Sequence, residues 1–179
     1  MHYVMDYSSP IGPLTLAAID QTLVGVWMKD QKYYGAGLSE AITQNQQLPV
    51  FLQTKNWLDA YFANEKPAIF ELPLKPVGNE FRQTVWTVLC QIPYGEVMTY
   101  KEVAQRTAEK LNKTSMSAQA IGGAVGHNPL SIIIPCHRVV GTNSSLTGYA
   151  GGLTKKIYLL QHEGVDTSKF LIPTKGTAL

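Results

Sequence analysis

Short runs of β-forming residues alternate with polar turns over the first thirty residues, and a helical periodicity follows them. Such a run between turn residues predicts a strand, and the chain has three: Tyr3–Met5, Leu14–Ile19 and Leu23–Met28. After a polar loop at Gln31–Gln47, apolar residues recur at helical spacing from Phe51 to Phe62, which predicts an amphipathic helix. Strands followed by a helix indicate a small α+β domain.

The second part of the chain has mostly helical periodicity. It follows Glu71–Gly78, a stretch with two prolines and a glycine, so we predict two domains, residues 1–76 and 77–179. Phe81–Leu89 has one apolar helical face, Thr99–Glu102 has the capping-box pattern of a helix start, and Ser117–Gly126 predicts a short helix of small residues. Two short helices joined by a turn resemble a helix-turn-helix, although an ordinary packed helical pair has the same pattern.

Composition places the chain among globular proteins. Of its 179 residues, 45% are apolar and 16% charged, and no apolar run approaches the roughly 18 residues needed to cross a bilayer. The N-terminus lacks a basic flank followed by an apolar stretch, so we expect no secretory signal, no membrane association and a cytoplasmic location. The two cysteines, Cys90 and Cys136, do not make a disulfide framework, which predicts at least one free thiol.

The formal net charge of +2 is unevenly distributed. Residues 1–76 carry five basic and seven acidic side chains, whereas residues 77–179 carry ten basic and six acidic ones. A basic half beside an acidic half is consistent with a polyanionic partner such as nucleic acid, and more commonly with an ordinary solvated surface.

The strongest chemical signal follows the apolar run Ile132–Ile134. This run predicts a buried strand that ends at Pro135, so that Cys136 lies where the core meets a loop. His137 and Arg138 favour the thiolate, which is the nucleophilic form of cysteine. A small buried cysteine beside a satisfied core histidine would have the same sequence, and the pattern leaves both interpretations open.

Neighbouring residues of an extended segment point to opposite faces, so Cys136 and His137 are not expected to pair directly. We therefore expect His137 to act on the thiol through a water molecule, with a carboxylate from elsewhere orienting the imidazole. Glu163, after a predicted helix at Lys155–Gln161, is the candidate acid, although it also fits a surface acid near a helix end. No zinc-ligand spacing, P-loop, nucleophile elbow or dinucleotide fingerprint occurs, so we expect no metal and no cofactor.

Several short motifs of the second half occur together in one order. They are Phe81-x-x-x-Val85-Trp86, Gly95-Glu96-Val97 leading to Tyr100, Ala120–Ala124, Asn128-Pro129, Ile134–Val140, Gly148–Gly152 and His162–Gly164. In type and order they resemble the O6-alkylguanine-DNA alkyltransferase family, strongly over about residues 79–165 and loosely in the N-terminal part.

The resemblance implies a fold and a partner. It implies an α+β protein with a small ribonuclease-H-like α/β N-terminal domain and a helical C-terminal domain bearing a helix-turn-helix. Family members place the second helix of that motif in the minor groove of double-stranded DNA carrying an alkylated base, and flip the base into a pocket. The implied DNA contacts are Ser117, Ala118, Gln119, Gly122 and Thr142. No obligate protein partner is implied, so we expect a monomer.

The resemblance also implies a reaction. Cys136 would take the alkyl group from O6-alkylguanine, with O4-alkylthymine as a second candidate lesion, and keep it as a thioether after a single turnover. The implied catalytic residues are Cys136, His137, Glu163, Tyr100 and Asn128, and the implied pocket walls are Val139, Tyr149 and Ala150. Tyr100 would offer its hydroxyl to the leaving guanine, and Asn128 would tether the turn before the active-site segment.

Two positions depart from the family pattern, and other functions stay open. Gln119 stands where many members have an arginine that fills the space of the flipped base, and Ala150 where some have a serine.

The main alternative function is that of a lesion-binding protein without catalysis, but such relatives lack the reactive cysteine that Cys136 supplies. A methylation sensor would need a further domain, and a cysteine hydrolase would need a distant histidine and repeated turnover.

Overall fold

The computed structural model describes residues 1–39 and 42–173 of the chain, and the chain divides into two compact units. The first unit contains Met1–Val77 together with Pro129–Ile133, and the second contains Gly78–Asn128 and the chain from Ile134 onward. The chain therefore leaves the second unit after Asn128 and returns to it at Ile134. Among the described residues, no helix is long and apolar enough to span a lipid bilayer.

The first unit is built on a four-stranded sheet. Its strands are β1 (His2–Ser9), β2 (Gly12–Ile19), β3 (Thr22–Met28) and β4 (Ile42–Gln44), in the order β3-β2-β1-β4. The first three form an antiparallel meander, and β4 joins β1 in parallel. The three predicted strands are confirmed, whereas β4 lies in a segment predicted to be a loop. All residues of β4 are exposed, so no burial pattern marks it in the sequence.

Helix α1 (Pro49–Phe62) packs on β1, β2 and β3, as its apolar periodicity predicts. It begins with a proline, whose missing N–H would have had no partner at a helix start. Its buried face includes Phe51, Trp57, Leu58 and Tyr61. These side chains supply the apolar layer between helix and sheet in the first unit.

A short segment from the second half of the chain completes the first unit. The Val26 N–H donates to the Pro129 carbonyl at 2.8 Å, and the Ser131 N–H donates to the Val26 carbonyl at 3.0 Å.

The prediction of a strand at Ile132–Ile134 is wrong, because these residues form a turn in which Ile132 has a φ of +73°. All three isoleucines are buried, and burial alone does not distinguish a strand from a buried turn.

The second unit is mainly helical. It contains α2 (Glu80–Leu89), α3 (Tyr100–Lys110), α4 (Ala118–Gly126) and α5 (Leu153–His162), with β5 (Met98–Thr99) pairing in parallel with β6 (Val139–Val140). The predicted helices are confirmed. The capping box is present, because the Thr99 hydroxyl accepts from the Glu102 N–H at 3.2 Å and the Glu102 carboxylate accepts from the Thr99 N–H at 2.8 Å. Helices α2, α3 and α4 pack on one another.

Candidate active site

Cys136 begins a 3-10 helix, Cys136–Arg138, rather than following a strand. The extended geometry predicted here is therefore wrong, because Pro135 (φ −81°, ψ 63°) turns the chain directly before the thiol. Cys136 is 5% exposed. The amide Nδ2 of Asn128 donates to Cys136 Sγ at 3.1 Å and to the Ile134 carbonyl at 2.7 Å. Asn128 thus fixes the thiol and also joins the two points at which the chain leaves and re-enters this unit.

His137 belongs to a buried network of charged side chains. Its Nε2 lies 2.6 Å from Oε1 of Glu163, and both side chains are fully buried. Arg138 donates through Nε to Glu163 Oε2 at 2.8 Å and through Nη2 to Oε1 at 3.0 Å, a bidentate arrangement. The Gly95 N–H donates to Glu163 Oε2 at 3.2 Å. Both carboxylate oxygens of Glu163 are therefore satisfied.

The network decides which nitrogen of His137 can accept a proton. An ionised carboxylate only accepts hydrogen bonds, so the contact with Glu163 requires the hydrogen of a neutral imidazole to be on Nε2. The Nδ1 atom is buried, and no group in the described part of the chain hydrogen-bonds to it. Nδ1 is therefore the basic nitrogen that His137 offers.

Burial and these contacts set the resting protonation states. Burial raises the pKa of the Cys136 thiol, while the Asn128 hydrogen bond and the positive charge of Lys156 lower it in part. Burial lowers the pKa of His137, although the contact with Glu163 opposes that shift. Burial alone would raise the pKa of Glu163, but its hydrogen bonds with His137 and Arg138 and the positive charge of Arg138 hold that pKa well below its ordinary value. The resting site thus contains a thiol, a neutral imidazole and a carboxylate.

Arg138 has a larger part in this site than the sequence interpretation assigned to it. Besides its bonds to Glu163, Arg138 donates through Nη1 to the Ile92 carbonyl at 2.6 Å, and its guanidinium lies 5.6 Å from the centre of the Tyr94 ring. The signal that could have identified it is an arginine directly before the apolar pair Val139-Val140. A charged side chain in a buried run requires a buried partner.

The two tyrosines predicted at the site lie in different elements. Tyr100 is the first residue of α3, and its Oη lies 3.4 Å from the carbonyl oxygens of Thr147 and Gly148. Burial, with a smaller contribution from Cys136, raises the pKa of Tyr100 to about 12, so its hydroxyl stays protonated and can donate. The Tyr149 hydroxyl is buried and has no hydrogen-bond partner among the described residues.

The other two predicted pocket residues are Val139 and Ala150, which lie in β6 and shortly before α5. Val139 is fully buried in β6, and Ala150 is half-buried two residues before Gly152, the N-cap of α5. The sequence interpretation missed Lys156, a fully buried residue of α5 whose Nζ donates to the Val139 carbonyl at 2.6 Å. A lysine beside the apolar stretch of α5 was the available signal, but the neighbouring Lys155 carries the same sequence signal.

The residues predicted to contact DNA lie on α4 and in one loop. Ser117 is the N-cap of α4, where its hydroxyl accepts from the Ala120 N–H at 3.4 Å, and Ala118 and Gln119 are exposed in the first turn. Gly122 is half-buried, and a Cβ built on it would meet, outside its own helix backbone, no atom of the described residues within 4 Å. Thr142 is exposed at the start of the 3-10 helix Thr142–Ser144.

Within residues 1–39 and 42–173, no group of three or more His, Cys, Asp or Glu side chains lies close enough together to hold a metal ion.

The site therefore combines a buried thiol, held by Asn128, with an adjacent buried histidine that is hydrogen-bonded to a carboxylate. Residues 3–76 match the ribonuclease-like domain of 6-O-methylguanine DNA methyltransferase, and residues 80–165 match its DNA binding domain. The chain therefore belongs to the 6-O-methylguanine DNA methyltransferase family, which confirms the resemblance and the predicted fold class.

Individual relatives cover nearly the whole chain. The methylated-DNA–protein-cysteine methyltransferase of Haemophilus influenzae is 37% identical over 163 residues, which are 91% of this chain and 87% of that protein. The one from Methanosarcina acetivorans is 40% identical over 165 residues, 92% of this chain and 99% of that protein. A crystal structure of Mycobacterium tuberculosis OGT in complex with DNA matches with a TM-score of 0.78 and 38% identity, covering 94% of each chain.

Proposed function

We propose that this protein repairs alkylated DNA by direct reversal, with Sγ of Cys136 as the acceptor of the alkyl group. Its activity is that of a methylated-DNA–protein-cysteine methyltransferase, which acts on O6-alkylguanine. The observation that supports Cys136 as the acceptor is its buried thiol, bound by Asn128 in the same unit as a neutral His137 whose basic nitrogen is unoccupied. Cys90 lacks this setting, and burial raises its pKa to about 11.

The transfer begins with loss of the thiol proton. We assign its path through a water molecule to Nδ1 of His137, because Nε2 is engaged by Glu163. The Glu163 carboxylate then stabilises the imidazolium. The Cys136 thiolate attacks the alkyl carbon in line, so that the S–C bond forms while the C–O6 bond breaks and its electron pair moves to guanine. Over the whole reaction, the thiol proton replaces the alkyl group on guanine.

We assign to Tyr100 the role of donating a proton or a hydrogen bond to the leaving guanine. Its hydroxyl stays protonated and makes only long contacts with loop carbonyls, so it is available to a base in the pocket. We expect Tyr100→Phe to lower the transfer rate about 10²-fold, because the developing charge on guanine loses a proton donor. Single-turnover kinetics on an O6-methylguanine oligonucleotide would measure this. An unchanged rate with unchanged thermal stability would contradict the assignment.

We assign the DNA contact to the exposed face of α4. Gly122, Gly123 and Gly126 face open space, because a Cβ at any of them would meet no atom of the described residues outside its own helix backbone within 4 Å. Packing within the protein therefore does not require glycine at these positions. A helix without side chains on one face can approach a groove only about 6 Å wide, which supports minor-groove binding. Gln119 is exposed on the same helix and is our candidate for filling the space of a flipped base.

Gly122→Leu tests the DNA-contact face. We expect DNA affinity to fall about tenfold, because the leucine would separate α4 from the groove. Thermal stability should stay equal or rise, since open space receives the side chain and leucine favours a helix more than glycine does. Gly122→Ala is the matched control with a smaller expected loss. Both variants should react normally with a free O6-alkylguanine base, and unchanged DNA affinity in Gly122→Leu would contradict the assignment.

The stoichiometry of transfer tests the proposed function. A thioether is a stable product, and no group at the site would regenerate the thiol. One chain carries every group that the step uses, so we propose that it acts as a monomer. Titration with an oligonucleotide carrying radiolabelled O6-methylguanine should give one methyl group per chain and then stop. Continued turnover would indicate a hydrolase, and binding without transfer would indicate a lesion-binding protein.

A further inference from the structure

Lys156 is a buried cation that the transfer step described above does not use. Its side chain is fully buried, and Nζ donates to three carbonyls, those of Val139 (2.6 Å), Thr147 (2.9 Å) and Gly148 (3.3 Å). These carbonyls satisfy its three N–H groups but carry no net charge. In the part of the chain that the structure describes, no ion pair involves Lys156. An ammonium buried without an anion is costly, which points to a use for its charge.

The three carbonyls belong to two chain segments, strand β6 and the loop before α5. Val139 lies in β6, three residues after Cys136, and accepts the shortest of the three hydrogen bonds. Thr147 and Gly148 directly precede Tyr149 and Ala150, which we assign to the pocket wall. Lys156 therefore ties the pocket loop, Thr147–Ala150, to the strand that follows the nucleophile.

The charge of Lys156 also acts on the nucleophile itself. The nearby ammonium lowers the pKa of the Cys136 thiol and so opposes the effect of burial. Burial lowers the pKa of Lys156 to about 8, and the nearby Cys136 acts in the opposite direction. A thiolate and an ammonium that stabilise each other titrate as a coupled pair.

Five other titratable or charged groups lie around this pair. They are Tyr100 of α3, Tyr149 of the pocket loop, His137 and Arg138 of the 3-10 helix, and Glu163 at the end of α5. The pKa values of both tyrosines are raised above about 10, and those of His137 and Glu163 are lowered below their ordinary values. An arginine keeps its charge throughout. Lys156, whose pKa burial lowers to about 8, is therefore the charged neighbour of Cys136 whose titration lies near neutral pH.

We propose that Lys156 is a positioning residue for alkyl transfer, whose ammonium stabilises the Cys136 thiolate while its three hydrogen bonds hold the pocket loop against β6. The part concerning the loop rests on the proposed function. The part concerning the thiolate is a property of the protein without DNA, so the two can be tested separately.

The first test removes the charge and keeps the length of the side chain. The pKa of Cys136 is measured from the ultraviolet absorbance of the thiolate, as the difference between each protein and its Cys136→Ser counterpart. In Lys156→Met we expect this pKa to rise by about one unit, whereas Lys156→Arg should stay near the wild type. Lys155→Met is the control for loss of a neighbouring charge and should cause a smaller shift. An unchanged pKa in Lys156→Met would overturn the proposal.

The transfer rate separates the electrostatic role from a purely structural one. Lys156→Met should lose about tenfold in rate at neutral pH and recover as the pH rises, because more of the thiol then ionises. A loss that is the same at every pH would overturn the electrostatic role. If no variant or wild-type protein transferred alkyl groups at all, the proposed function would fail, whereas the thiol titration would still decide the role of Lys156.

A measurement on the wild-type chain covers the case in which Lys156→Met does not fold. Carbon NMR of the lysine side chains, with Lys156 assigned by its loss in Lys156→Arg, gives its pKa before and after S-methylation of Cys136. Methylation removes the thiolate, so the pKa of Lys156 should fall by about one unit, because the coupling between two sites is reciprocal. A pKa of Lys156 that does not change on methylation would overturn the proposal.

Discussion

Glu163→Gln should slow methyl transfer by at least about 10²-fold and lower the free energy of unfolding by about 3 kcal/mol. A glutamine amide can donate to Nε2 of His137, which would move the imidazole hydrogen to Nδ1 and remove the base. It would also leave Arg138 buried without its carboxylate partner. Single-turnover kinetics and thermal unfolding measure the two effects. Glu109→Gln, an exposed acid on α3, is the control and should change neither.

The stability effect of Glu163→Gln should depend on pH. Because the folded pKa of Glu163 is lowered, its carboxylate contributes stability that is present above its unfolded pKa of about 4.3 and is lost as pH falls toward the folded value. The difference in stability between wild type and Glu163→Gln should therefore be largest near neutral pH and shrink below about pH 4.3. A difference that stays constant on acidification would contradict an ionised Glu163.

Arg138→Met should lower the free energy of unfolding by about 3 to 5 kcal/mol, which corresponds to a fall in Tm on the order of 10 °C for a chain of this size. The variant removes a bidentate bond and leaves the buried Glu163 carboxylate without its cationic partner, so that only the hydrogen bonds from His137 and the Gly95 N–H remain. The Ile92 carbonyl also loses its donor. Arg138→Lys should be intermediate, because lysine keeps the charge but cannot form the bidentate bond. Arg106→Met, on the exposed face of α3, should change stability little.

A double-mutant cycle separates the Arg138–Glu163 pair from its surroundings. The variant with both Arg138→Met and Glu163→Gln removes both charges, so neither remains unpaired in the interior. Its loss of stability should be smaller than the sum of the single losses by about 1 to 3 kcal/mol. Strict additivity would show that the two residues stabilise the fold independently, contrary to their 2.8 and 3.0 Å contacts.

The sequence predicted those elements in which burial and periodicity agree. The meander of β1 to β3, helix α1 and the capped start of α3 all carry a strong local pattern, and each is present. Strand β4 has only exposed residues and left no such pattern. The turn at Ile132–Ile134 shows the opposite problem, because its three isoleucines are buried without forming a strand. Ile132 and Ile133 belong to the first unit and Ile134 to the second, and no local sequence rule reveals that division.

For the candidate site, too, some features could be predicted from the sequence and others could not. The Cys136–His137 peptide and the need for an orienting acid follow from the sequence, and Glu163 does lie 2.6 Å from His137. The route to that expectation assumed an extended backbone, whereas a 3-10 helix places these side chains. The carbonyl partners of Arg138 and Lys156 could not be predicted, because a main-chain carbonyl carries no sequence signature.

The central claim is that Cys136 alone receives the alkyl group, and peptide mass mapping tests it most directly. The chain would be mixed with an oligonucleotide containing one O6-methylguanine, digested and compared with its Cys136→Ala variant. We predict one added methyl group on the peptide containing Cys136, none on the peptide containing Cys90, and none anywhere in the variant. A methyl group on Cys90, or the disappearance of O6-methylguanine from DNA with the protein unmodified, would contradict the account.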